Sequence, residues 1–193
     1  TMVFIMPSCR RINYHWLPWL FIAWCYCNLA YAEGIQIRNA TLEWAEEGAQ
    51  LNADIDIQLN QTLMDALNRG VPLYFLTELE INRPRWYLIN QTLLSQQRSV
   101  RLAYNALTRQ YRLSYGNLYQ NFDRLEHALR VLGRLRSWSI NNSLSLKSNN
   151  APLEASLRLR LDMTKLPKPF QVTALSSKDW QLTAEWYRWK VEN

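Results

Sequence analysis

Leu51-Asn52-Ala53-Asp54-Ile55-Asp56-Ile57-Gln58-Leu59 sets an apolar or small side chain at every odd position and a polar one at every even position. Successive side chains of a strand point to opposite faces, so this alternation describes a strand with one face in a core and the other in water. Ala155-Ser156-Leu157-Arg158-Leu159-Arg160-Leu161 repeats the pattern near the other end of the chain. Between them, Leu73–Ile81, Val100–Tyr104 and Tyr111–Tyr115 are apolar, β-branched or aromatic runs that also predict strands. Ile35–Trp44 and Trp180–Val191 are the expected first and last strands, and Trp86–Leu94 a less regular one.

Two stretches follow the helical period instead. In Thr62–Asn68, Leu63, Ala66 and Leu67 share a face, Thr62 and Asp65 stand at capping-box spacing, and Gly70 supplies a stop. Leu125, Ala128, Leu129 and Leu132 form a second apolar stripe. Asp123 opens it, and Gly133 either ends it or weakens its last turn. Tight connections such as Asn105-Ala106-Leu107-Thr108 favour hairpins over crossovers. The expected fold is mainly β: an antiparallel β-sandwich or strongly curved sheet with two short helices at an edge or open face. The polar stretch Asn141–Asn150 is the expected mobile loop.

Upstream of the strands lies a different kind of segment. Arg10 and Arg11 are followed by the apolar run Trp16–Cys27 and then by Ala30-Tyr31-Ala32. Positive start, short apolar stretch and small residues are the order of a secretory signal peptide. The run is shorter than the roughly 20 residues of a membrane span. The expected organisation is a signal peptide over 1–32 and a single β-rich domain over 33–193, exported to the periplasm. Removing 32 of the 193 residues leaves 161 and takes Arg10 and Arg11, so net charge falls from +6 to +4. Cys9, Cys25, Cys27 and His15 leave as well, and the exported domain keeps one histidine, His127, and no thiol. A 48% hydrophobic, 20% charged composition offers enough apolar surface to fold, which argues against disorder.

That inventory limits the chemistry. Hydrolytic triads need an imidazole with a nucleophile beside it, and His127 sits between Glu126 and Ala128, off the apolar stripe, as a solvated helix residue would. One histidine cannot assemble the usual His/Cys zinc site, and five scattered glycines make no phosphate loop. No cofactor or metal is expected. Carboxylate pairs remain: Asp54 with Asp56, and Glu78 with Glu80, each share a strand face at about 6.6 Å along the chain, near glycosidase separations. Arg101, Arg112, Arg158 and Arg160 occupy outward positions of other strands, so cross-strand salt ladders are the competing reading.

Basic and aromatic residues interleave in one third of the chain. Arg83, Arg85, Arg98, Arg101, Arg109 and Arg112 fall near Trp86, Tyr87, Tyr104 and Tyr111. For an exported protein nucleic acid is not the expected ligand; an acidic protein surface, anionic lipid or acidic glycan is. Leu166-Pro167-Lys168-Pro169-Phe170 reads as a rigid extended corner presenting Lys168 and Phe170. Arg83, Arg85, Trp86, Tyr87, Arg109, Lys168 and Phe170 are the candidate partner-binding residues.

Several runs together resemble a known family. Ala66–Phe75, Arg83–Tyr87, Tyr104–Ser114, Leu157–Asp162, Leu166–Val172 and Asp179-Trp180 are similar to the bacterial domain-of-unknown-function 4390 family. The resemblance spans nearly all of 33–193. It implies a single exported domain and a genomic neighbourhood with a membrane sensor histidine kinase, and it carries over no activity and no site residues.

The leading expectation is a non-enzymatic periplasmic interaction module that docks an envelope protein, with a sensor kinase as candidate partner. The alternatives are a carrier or sensor of an apolar or glycan ligand, and a carboxylate-dependent carbohydrate-active enzyme using Glu78 and Glu80.

Overall fold

The alternating strand β2 (Gly48–Gln58) sits between β1 (Gly34–Ala45) and β7 (Arg134–Ile140) in a three-stranded antiparallel sheet. Its even residues from Gln50 to Gln58 face outward, while Ala49, Leu51, Ala53, Ile55 and Ile57 are buried. A second antiparallel sheet has six strands in the order β6 (Leu118–Phe122), β5 (Gln110–Tyr115), β4 (Gln91–Asn105), β3 (Leu73–Arg83), β8 (Leu153–Leu161) and β9 (Tyr187–Val191). The computed structural model describes residues 34–45, 48–85, 91–141 and 152–191. Buried side chains of both sheets form one continuous core. The protein is mainly β, with two antiparallel sheets, no closed barrel and few short helices.

Helices close the ends of this core. α1 (Gln61–Asn68) buries Leu63, Ala66 and Leu67, the face read from the sequence. Its cap is Asn60 rather than Thr62: the Asn60 Oδ1 accepts from the Leu63 N–H at 2.9 Å. Gly70, with φ 89°, makes the left-handed turn that stops it. α2 (Leu125–Leu132) buries Ala128 and Leu132. Asp123 does not cap it; the Asp123 carboxylate instead accepts from the Gln110 amide at 3.0 Å.

The C-terminal third departs most from expectation. A third helix, α3 (Lys168–Ser176), occupies the stretch expected to be an extended corner. Pro167 and Pro169 stand where a helix begins, and a first turn needs no N–H from them, so they start the helix instead of preventing it. Phe170 is half-buried and stacks on Trp180 at 5.9 Å, so it is not a presented side chain. Trp180–Val191 is not one strand either. Trp180 ends a single 3-10 turn (Lys178–Trp180), the chain bridges β8 through Leu182 and Ala184, and β9 proper begins at Tyr187.

Two strands were not anticipated, β6 and β7. Leu135, Trp138 and Ile140 point inward from β7, but the extra residue at Ser137, with φ 46°, breaks the two-residue period. The sheets are also joined side to side: the Gln96 amide of β4 donates to the Ser139 carbonyl at 3.3 Å and accepts from the Asn141 N–H at 3.0 Å. The expected leader over residues 1–32 and the loop over 142–150 lie outside the described residues.

Candidate functional site

The candidate partner residues do not converge. Arg83 closes the β3–β4 ladder opposite Gln91, and the Arg85 guanidinium donates to the Gln91 side chain. Leu73 marks the other end of that ladder, ten residues and roughly 33 Å away. Arg109 belongs to that far end, in the turn after Asn105, and Lys168 follows a segment tied there by the Asp162 N–H to the Tyr74 carbonyl at 2.7 Å. Trp86 and Tyr87 lie outside the described residues. Among those described, Arg83 and Arg85 are thus separated from Arg109 and Lys168 by the length of the sheet.

Glu78 sits in a salt ladder. It is 7% exposed and directly opposite Arg158 on β8. Its Oε2 accepts from Arg158 Nε and Nη2 at 2.8 and 2.6 Å, and its Oε1 from Arg160 at 3.2–3.3 Å. The Trp186 ring lies 4.3 Å from the Arg158 guanidinium carbon. Glu80, two residues on, lines a shallow polar hollow of about 380 Å³ with Asn82, Glu154, Ser156 and Arg188. Asp54 and Asp56 are likewise engaged, with Arg136 and Arg38, each at 2.7 Å. Arg112 has no such carboxylate among the described residues; it donates to the Asn121 side chain and lies over Tyr119. Among the described residues no three His, Cys, Asp or Glu side chains converge on a point, and His127 is exposed on α2.

A hollow of about 750 Å³ opens on the outer face of the three-stranded sheet beside α2. β7 pairs β2 only as far as Asp54, so Ile55–Ile57 of β2 faces the helix rather than a strand. Gly133 makes that approach possible. The Ile55 N–H donates to its carbonyl at 2.8 Å, and a Cβ on Gly133 would lie 2.0 Å from the Ile55 carbonyl oxygen. The glycine ends α2 with an ordinary φ of −77°, so it is required for space, not for an unusual backbone angle.

Four guanidiniums line this hollow: Arg38, Arg130, Arg134 and Arg136. Arg38 and Arg136 are neutralised by Asp56 and Asp54, and Arg136 also donates to the carbonyls of Ala53 and Leu135. Arg130 and Arg134 enter no ion pair among the described residues. With Glu126 the only other acid in the lining, the hollow keeps a positive excess. The chemistry it offers is bidentate recognition of carboxylate or phosphate groups. Sequence reasoning missed it because Arg38 is distant in the chain from Arg130, Arg134 and Arg136, and the strand that brings two of its four arginines was hidden by its bulge.

No curated protein and no solved structure gives a significant match to the chain. The sequence pattern of one family matches residues 32–190, a span that includes both sheets and the arginine-lined hollow. The chain therefore belongs to the family described as Domain of unknown function (DUF4390).

Proposed function

We propose that the protein is an exported, non-enzymatic interaction module of the cell envelope that docks an acidic partner on the surface carried by α2 and the start of β7. One observation carries this reading: Arg130 and Arg134 line a hollow of about 750 Å³ and have no ion-pair partner among the described residues, next to two guanidiniums already held in place by aspartates. Unneutralised guanidiniums favour an anionic surface and steer its approach. The sequence reading contributes export and the acidic character of the partner. The periplasmic portion of a membrane sensor kinase is the first partner to test, on the family resemblance alone.

The two alternatives have less support. A glycan carrier needs aromatic platforms, and no aromatic ring lines the large hollow. The carbohydrate-active reading pairs Glu80 with Glu78, and Glu78 is committed to two guanidiniums.

Capture from envelope extracts at low and high salt tests the proposal. Arg130→Glu combined with Arg134→Glu should lower recovery of the dominant partner by about tenfold or more, corresponding to about 1.4 kcal/mol. Arg85→Glu and Lys168→Glu, at the two ends of the sheet, should leave it unchanged. The reverse pattern would return the site to the residues first read from the sequence.

A further inference from the structure

Four strands stand at the edges of the two sheets, and three of them are guarded. β9 carries Arg188 and Lys190, β1 carries Arg38 and a bulge between Ile37 and Asn39, and β7 carries two arginines, a bulge and the Gln96 clamp. Charges and bulges of this kind keep an edge from pairing with a foreign strand. β6, Leu118-Tyr119-Gln120-Asn121-Phe122, has no charge, no proline and no bulge, and Leu118–Asn121 are exposed. Among the described residues no strand pairs with its outer side.

The geometry of that edge is defined. Tyr115 and Leu118 close a two-residue turn in which Gly116 has φ 54°. The pair closing such a turn exchanges hydrogen bonds, so by alternation Tyr119 and Asn121 turn their N–H and C=O away from β5, toward solvent. On the core side of the edge a groove of about 270 Å³ runs between the sheet and α2, its apolar lining supplied by Leu113, Leu118, Val131 and Leu132 and its charge by Arg98 and Arg134. Leu118 and Val131 are exposed there, at 73% and 43%. On the other side lies Tyr119, with the Arg112 guanidinium 4.8 Å from its ring centre.

We infer that β6 accepts an extended segment of a partner protein as a seventh strand, antiparallel, with apolar side chains in the groove and acidic ones on the Tyr119 side. This rests on the docking reading above and names the shape of the partner. Charge identifies the occupant. Arg112 lies on the Tyr119 face, Arg98 and Arg134 line the groove and Arg124 follows the strand, none of them in an ion pair among the described residues, and Asp123 and Glu126 are the nearby acids in the chain. A second copy of this chain would bring one basic rim against another, whereas an alternating acidic and apolar strand matches both faces. Main-chain bonds then give affinity and the alternate side chains give choice, as in other strand additions.

The probe is the peptide acetyl-Glu-Val-Glu-Val-Glu-Val-Glu-amide, titrated into ¹⁵N-labelled protein. Amide shifts should centre on Tyr119 and Asn121. In antiparallel pairing the glutamates lie opposite those residues, so N-methylating the glutamate amides should weaken binding about tenfold or more, whereas N-methylating the valine amides should not. Replacing Glu by Lys in the peptide should also weaken it. Tyr119→Pro in the protein should reproduce the loss; the methylated peptides decide the matter even where that variant does not fold. Equal binding of both methylated peptides, shifts confined to α2 and β7, or self-association abolished by Tyr119→Pro would each overturn strand addition. Should envelope capture still depend on Arg130, which lines the hollow and not the groove, the docking reading survives that result; loss of both removes both.

Discussion

The two halves of the six-stranded sheet differ more than their shared hydrogen-bond ladder suggests. On two of its inner strands, Phe75, Leu79 and Ile81 of β3 and Leu157 and Leu159 of β8 are at most 1% exposed. At its end, Leu118–Asn121 of β6 are exposed, with Leu118 at 73%. Three strands cannot cover six. The short sheet and α1 bury the middle, and over β5 and β6 only α2 adds cover, which leaves the apolar groove. The lesson is that fold stability and partner access are separated along one sheet, with conformational order set at β3–β8 and open surface reserved at β6.

The sharpest way to break this comparison is truncation at both places. Phe75→Ala should cost about 3–5 kcal/mol in urea unfolding, as large core rings do, while Leu118→Ala should stay within about 0.5 kcal/mol. Similar values at the two positions would mean that β6 is part of the core in solution. Gly133→Ala tests what holds the cover in place. The added methyl must displace α2 from β2, at about 2–3 kcal/mol, and amide exchange should rise in α2 and β6 before β3. An unchanged exchange pattern would detach the helix from any role at the open end.

The smallest effect is expected from pH. Partial burial, together with Tyr104 and Glu126, raises the Tyr111 phenol above its ordinary value of 10.0, and its hydroxyl donates to Asn68 at 3.0 Å. The folded protein therefore holds this proton more tightly than the unfolded chain does. The stabilisation is complete below pH 10 and declines as pH rises past it, because the unfolded state ionises first. Tyr111→Phe should flatten the loss of stability above pH 10, measured by thermal melts across that range. An equally steep decline in the variant would assign it to other groups.

What could be read in advance follows from regularity. β2 and β8 were legible because nothing interrupts their alternation, and α1 and α2 because their apolar residues keep one face. β7 was not, since Ser137 shifts its phase, and α3 was not, since the same two prolines suit a corner and a helix start equally well. β6 gives no amphipathic signal at all: its inner residues Leu118 and Gln120 are as exposed as Tyr119. The Glu78 ladder was readable from outward positions, and register put Arg158 directly opposite. The arginine hollow was not, because it depends on where β7 stops pairing with β2, which no local pattern encodes.

Glu78 precedes its partner Arg158 by 80 residues. β8 is an inner strand of its sheet, paired with β3 on one side and β9 on the other, yet it is among the last made. Until it emerges from the ribosome, one side of β3 has no neighbour and the acid has no counter-charge. A chain cut short before Leu153 would lose both strands on one side of β3 and leave that buried strand as an edge, and synthesis must be nearly finished before the larger sheet is complete.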